Sequence, residues 1–230
     1  LSSVRLAFAF ALLAGPVSAQ TGQATLEVAV FSAEDLRSVP RPTDPWSVLR
    51  DVPGVVADRV NVGGSETAQQ SLLVSHGDGG AGATWTLDGF DVTDPAALGS
   101  TTVFPDMDAL EGLEARTTAF DVRARTQGVQ VALRLRAPAG RFAGAAHLRY
   151  AGSPLQSDHL PRDLAARVFP HNETDRLLEL GGEAGGPLKD GRLWLWGAVA
   201  RNALRQDAFT GHPDVLRTTT LSGKGRLRLG

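Results

Sequence analysis

The chain contains no cysteine, which removes disulfide cross-links and thiol nucleophiles together. Stability must come from burial and hydrogen bonding alone. Beyond residue 19 no apolar run reaches the roughly 20 residues of a membrane-spanning helix, so a membrane can be entered only by strands. The usual spacings of active sites are missing as well. The five histidines (76, 147, 159, 171 and 212) never fall at H-E-x-x-H spacing, and no G-x-S-x-G elbow offers a serine nucleophile. Gly77, Gly79 and Gly82 do match G-x-G-x-x-G, but Thr84-Trp85-Thr86 follows. A dinucleotide needs a helix N-terminus there, whereas these residues favour a strand. Asp88, Asp91 and Asp94 lack the pattern of an EF-hand loop and read as solvated turn residues. Neither an active site nor a cofactor is expected.

What is present begins with a charge and an apolar run. Arg5 precedes apolar residues 6–14, Gly15-Pro16 breaks the run, and Val17-Ser18-Ala19 offers small residues for a signal peptidase. Residues 1–19 therefore read as an export signal cleaved after Ala19. The remaining chain divides by charge. Residues 20–126 hold 16 acidic and 7 basic side chains, while residues 127–230 hold 9 and 15. Two pieces with different surroundings are expected, with the boundary at 126/127.

The first piece is organised around residues 84–95. Thr84, Trp85, Thr86 and Leu87 favour a strand, Asp88-Gly89 supplies the positive φ of a tight turn, and Phe90 and Val92 begin a return strand. Upstream, residues 25–31 read as extended. Ser32 with Asp35 three residues on marks a helix start, and Asp44-Pro45 marks another. Trp46, Leu49 and Val52 form one apolar face ended by Pro53-Gly54. Strands are expected at 55–62, 71–75 and 113–120, and a helical turn anchored by Met107 and Leu110. This is a small α+β domain.

From residue 127 the pattern alternates. Val129, Val131, Leu133 and Leu135 oppose Gln130, Ala132, Arg134 and Arg136. Phe142, Gly144, Ala146, Leu148 and Tyr150 oppose Ala143, Ala145, His147 and Arg149. Leu178, Leu180 and Gly182 oppose Glu179, Gly181 and Glu183. Leu221, Gly223, Gly225, Leu227 and Leu229 oppose Ser222, Lys224, Arg226 and Arg228. Residues 191–201 are apolar on both faces, with Trp194 and Trp196 near one end. Strands of about ten residues with one apolar face match the walls of transmembrane barrels, which also place aromatics at the membrane interfaces. A soluble β-sandwich alternates too, but its strands are usually nearer five or six residues. Four or five such strands are fewer than a barrel needs, so a longer protein is expected.

In this order the motifs resemble a family. Residues 44–55 (DPWSVLRDVPGV) look like the opening helix and Pro-Gly turn of a TonB-dependent receptor plug. Val60 to Gly64, with Gln69-Gln70-Ser71, is similar to the plug strands that follow. Leu87-Asp88-Gly89 is similar to the plug's "LDG" hairpin, and residues 104–117 to the segment leading into its E-x-x-x-T strand. Residues 155–158 and 182–194 (GEAGGPL, then Asp190 and Leu193-Trp194) resemble the first barrel strands of Oar-type receptors. One departure is the passage from plug to barrel, where residues 135–140 read LRAPAG and keep only the basic Arg136 of the T-K-x-G-T-N-like stretch.

The resemblance implies an α+β plug at 20–126, then antiparallel transmembrane β-barrel strands from 127 in an incomplete barrel. It implies energy-coupled uptake of an unidentified solute. The partners would be TonB with its inner-membrane complex and the lipid of the outer membrane, with neither nucleic acid nor a cofactor. Leu26, Glu27, Val28, Ala29 and Val30 are the candidate TonB box, an extended segment that could add a strand to TonB's sheet; the first strand of the plug is the competing assignment. A surface or adhesion protein on the same architecture and a non-functional gene fragment are the other functional readings. An acidic plug against a lumen carrying Arg134, Arg149, Arg226 and Arg228 is a further expectation.

Overall fold

Two sheets account for most of the chain. The structure, a computed structural model, describes residues 28–39, 41–61, 63–118, 120, 126, 128–155, 173–189, 191–207 and 212–228. The expected export signal and Ala19 lie outside them. In order they form β1 (Val28–Ser32), α1 (Ala33–Ser38), α2 (Pro45–Leu49), β2 (Val55–Ala57), β3 (Leu73–Ser75), β4 (Thr84–Leu87), β5 (Phe90–Asp91), a 3-10 turn (Met107–Ala109) and β6 (Leu110–Arg116). There follow β7 (Gln130–Leu135), β8 (Ala143–Gly152), β9 (Glu173–Lys189), β10 (Leu193–Asp207) and β11 (Pro213–Leu227).

The first sheet has five strands in the order β1-β6-β7-β4-β5, and β2 pairs with β3 beside it. Its core follows from alternation: Trp85, Leu113, Ala115, Val131 and Leu133 are all at most 1% exposed. The helices close over them. Ser32 caps α1 in a reciprocal box with Asp35, which satisfies two of the free N–H groups at a helix start. The Ser32 hydroxyl and then its backbone N–H, both donating to Asp35, hold that carboxyl below its ordinary range. Asp44 caps α2 and accepts from Ser47 N at 2.8 Å, with Pro45 at the first helical position, where no N–H is needed. The Trp46 ring then lies 5.5 Å from Trp85 and 5.8 Å from Phe104, both tilted.

Several elements differ from expectation for visible reasons. The strand expected at 55–62 stops at Ala57: Asp58 N still donates to Leu72 O, but Leu72 N donates to the Asp58 carboxylate and Arg59 N to Ser71 Oγ, so side chains take over from the ladder. The strand expected at 113–120 starts earlier, at Leu110. A register shift between Leu110 and Gly112 points both Leu110 and Leu113 inward, so a strand start carries the i, i+3 spacing of a helical turn. The larger correction concerns β7. Its alternation reads as the first barrel strand, yet it pairs with β6 and, in parallel, with β4. Val129, Val131, Leu133 and Leu135 face the core of the first sheet. A half-buried strand alternates whichever medium lies on its apolar side, so periodicity alone cannot separate the two cases. The change of sheet therefore falls between Leu135 and Ala143, not at 126/127.

The second sheet is an antiparallel meander, β11-β10-β9-β8. It holds four strands: β8 has the ten residues expected, whereas β9 spans 17 residues and β10 and β11 span 15 each. The ladder continues past the apolar band, where outward positions become Arg201, Arg205 and Arg217. No helix among the described residues is long and apolar enough to cross a membrane.

Candidate functional site

The second sheet is apolar on the side away from the plug. Phe142, Leu148, Leu188 and Leu221 are 71%, 71%, 61% and 79% exposed, while their alternating neighbours turn toward the first sheet. A water-soluble sheet of this kind would do the reverse. The inward face carries the polar groups, and these make the site: a polar seam between the plug and a wall of four strands.

Four regions of the wall hold the plug. Near the start of α2, Thr43 donates to Glu179 of β9, a carboxylate 4% exposed. At the 3-10 turn, Arg149 of β8 donates to Asp108 Oδ2 at 2.6 Å, and His147 lies between Asp106 and Asp108. Beyond β7, Arg136 pairs with Glu183 of β9, whose other oxygen accepts from Trp196 Nε1 at 3.0 Å. On β11, Lys224 donates to Asp88 Oδ1 at 2.9 Å and to the Leu135 carbonyl at 3.2 Å. Two neutral bonds add to these, from Gln206 Nε2 to Ser65 O at 2.8 Å and from Thr220 Oγ1 to Phe104 O at 3.2 Å. Trp196 and Ala198 join the core of the plug itself, so Trp196 is an inward anchor and not the lipid-facing interface aromatic the sequence suggests.

The expected charge arrangement holds only in part. Of the four arginines expected to line the lumen, Arg149 meets an acidic plug group. Arg134 belongs to β7 and pairs with Glu114 at 3.0 Å within the plug, and Arg226 stacks 4.5 Å over the Trp194 ring. Charge also runs the other way, since Arg136 reaches out to Glu183 of the wall. Burial tends to raise Asp108, but the bonded Arg149 guanidinium, with His147 and Arg37, brings it below the ordinary carboxylate range. Burial raises Asp106 above that range, with His147 pulling the other way.

The residues singled out in sequence fall in different places. Leu26 and Glu27 lie outside the described residues. Val28, Ala29 and Val30 belong to β1 and pair with Arg116, Ala115 and Glu114 of β6. Leu87, Asp88 and Gly89 make the β4–β5 turn, with Leu87 opposite Phe90 and with φ of 50° at Asp88 and 85° at Gly89, as a two-residue hairpin turn requires. The turn also meets the wall through Lys224, a role that its local sequence does not announce. Asp91 and Asp94 accept from Thr93 N at 2.9 Å and Ala96 N at 2.8 Å, as turn residues. The glycine-rich loop is a turn before β4, in which Asp78 accepts from Gly80 N at 3.0 Å. Asp106, Asp108 and His147 lie close together, but Arg149 already occupies the shared Asp108 oxygen, so this is an ion-pair cluster.

No protein-family model matches the chain, and no curated protein matches it. Solved structures do. The chain is similar to the siderophore receptor PirA from Pseudomonas aeruginosa, with a TM-score of 0.58 and 18% identity over 89% of this chain and 32% of that one. Its fold is that of a receptor plug with barrel strands. The ferric enterobactin receptor PfeA gives a TM-score of 0.59 at 16% identity, over 89% of this chain and 31% of that one. The RagAB peptide importer gives 0.57 at 13%, over 90% and 29%. The likeness is one of fold, and the chain spans about a third of the length of these solved chains. The plug-and-wall architecture is the expected α+β domain followed by antiparallel barrel strands, with the barrel unclosed among the described residues.

Proposed function

We propose that the chain belongs to a TonB-dependent outer-membrane receptor of Oar-like type, which takes up an unidentified solute through a plugged barrel. The observation that carries this reading is the inside-out wall. Strands β8–β11 show apolar side chains outward and hold the plug by a polar inner face. In this reading residues 1–19 export the chain, the plug runs from about residue 20 to Leu135, and the barrel wall starts at Ala143. The plug closes the lumen, and the wall stands in lipid. Residues 26–30 are where TonB adds a strand from the periplasm.

Force on that segment acts on β1 first, because β1 is an edge strand held to one neighbour, β6. An edge strand can be drawn away without breaking the rest of the sheet. The test uses the absence of cysteine. Single-cysteine variants at Leu26, Glu27, Val28, Ala29 and Val30 should form disulfides in cells with a cysteine placed in the strand of TonB's sheet that accepts such segments. Cross-linking should peak within these five positions. Absence of any cross-link at all five would remove energy coupling through this segment.

A further inference from the structure

The outer face of the wall changes character along its strands. On β10 the outward positions run Leu195, Gly197, Val199 and then Arg201, Ala203 and Arg205. Trp196, Ala198, Ala200 and Leu204, between them, are buried on the other side. The ladder brings two more guanidiniums to the same patch. Arg176 of β9 stands directly opposite Arg205, and Arg217 of β11 stands opposite Ala203, in the row between Arg201 and Arg205. Arg176 shares its side of β9 with Leu180, and Arg217 shares its side of β11 with Leu221, both exposed. Opposite residues on paired strands lie about 5 Å apart and diagonal ones about 7–8 Å. Four arginines therefore occupy one small area of the outward face.

Two observations mark this area as a site for anions. Like charges directly opposite one another destabilise a ladder, and Arg176 with Arg205 is such a pair. Asp175, the residue skipped at the register shift beside Arg205, lies 3.1 Å from Arg205 Nε and answers that charge alone. Arg176, Arg201 and Arg217 have no ion-pair partner among the described residues. Asp207 and Asp214 lie beyond the last arginine row. The second observation is position. A guanidinium on the lipid side is costly at the middle of a bilayer and nearly free at its interface. The four arginines thus mark the level at which the apolar band meets the headgroups. Residues 153–172 join β8 to β9 and residues 208–212 join β10 to β11 at this end, whereas residues 190–192 suffice at the other. In outer-membrane walls the longer connections face the cell exterior, which puts the patch at the outer leaflet.

We propose that Arg176, Arg201, Arg205 and Arg217 bind the phosphate groups of anionic lipid in that leaflet. Each guanidinium presents a planar fork that matches two phosphate oxygens. Arg201 and Arg205 stand four residues apart on one strand, about 13 Å, so the patch is broad enough for more than one phosphate. A lipid fits better than a free anion because apolar positions continue directly from the arginines. Leu178 and Leu180 follow Arg176 along β9, and Tyr150 of β8 stands opposite Leu178, an exposed aromatic at the level where such walls carry them. An acyl chain has this surface to lie on below its phosphate. The role rests on the membrane wall proposed above, and the test separates the two.

The whole protein is reconstituted in phosphatidylcholine vesicles carrying a trace of spin-labelled phosphatidic acid or spin-labelled phosphatidylcholine. The motionally restricted fraction of each label reports contact with the wall. Phosphatidic acid should be preferred at least about fivefold at low salt. The preference should disappear when Arg176→Gln, Arg201→Gln, Arg205→Gln and Arg217→Gln are combined. Should that variant fail to fold, Arg201→Gln and Arg217→Gln singly should each reduce the preference about twofold. Equal restriction of the two lipids, or an unchanged preference in the variants, overturns the proposal while the wall stands. Restriction of neither lipid would refute the wall itself, and this site with it. Exchanging chloride for inorganic phosphate at constant ionic strength should leave the preference in place, and its loss would overturn the lipid in favour of free phosphate.

Discussion

Asp44 shows how much one side chain organises within the plug. It is 8% exposed and accepts from Ser47 N, Ser47 Oγ at 2.6 Å and Asn61 Nδ2 at 2.7 Å. Asp44→Ala removes a helix cap and leaves the Asn61 amide without that acceptor. We expect a loss of about 2 kcal/mol in stability, read by denaturant titration of the tryptophan fluorescence, to which the buried Trp46, Trp85 and Trp196 contribute. A loss under about 0.5 kcal/mol would show that water replaces these bonds at no cost. Gly128 makes a second case, because the backbone of Gly82 stands where its Cβ would be. Gly128→Ala should therefore destabilise the glycine loop, whereas Gly140→Ala, with open space around it, should not; equal effects in the same titration would contradict the close approach. At Asp108 the sign of the pH effect follows from its lowered pKa. The contribution is full above the ordinary carboxylate value of about 3.9 and is lost as pH falls through the lower folded value. Asp106, raised by burial, has the opposite sign: what it contributes is present below the ordinary value and lost as pH rises through its raised one. As pH falls below the ordinary carboxylate range the Asp108–Arg149 bond should therefore weaken, whereas the contribution of Asp106 is kept.

Between elements, the Glu183 junction ties β9 to both Arg136 and Trp196. Replacing it by Gln leaves Arg136 only partly exposed and without its partner carboxylate. Loss of one member of such a pair costs up to about 3 kcal/mol when buried, and less here because Arg136 keeps 22% exposure. The readout is the salt dependence of limited proteolysis between plug and wall. The unaltered chain should become more susceptible as salt rises, Glu183→Gln should start susceptible and change little, and an unchanged response in that variant would contradict a role for this pair. Neither contact is legible in sequence, since the partners stand 47 and 13 positions apart on different strands or loops. The hairpin of Leu87, Asp88 and Gly89, the caps at Ser32 and Asp44, and the faces of β8, β9 and β11 are legible, because each depends on neighbours within a turn or on a period of two. The place of β7 is not legible for a related reason. Its alternation says which side is apolar and not whether that side meets a core or lipid. Trp196 is a similar case, since a tryptophan in a wall strand serves an interface or a plug equally well by composition.

On the scale of the whole molecule, the apolar face of the wall and its polar seam are consistent with one arrangement: plug inside, lipid outside. A soluble reading would need another cover for Phe142, Leu148, Leu180, Val199 and Leu221, all outward and exposed. The most direct measurement is a single-cysteine scan along β10 and β11 in membranes of cells expressing the protein, each cysteine carrying a spin label whose collisions with oxygen and a water-soluble reagent are compared. At positions 195, 197, 199, 221 and 223 the labels should meet oxygen dissolved in lipid, and at 196, 198, 200, 220 and 222 they should not. Water accessibility on both faces, or no alternation between them, would contradict a membrane wall and with it the account of the plug.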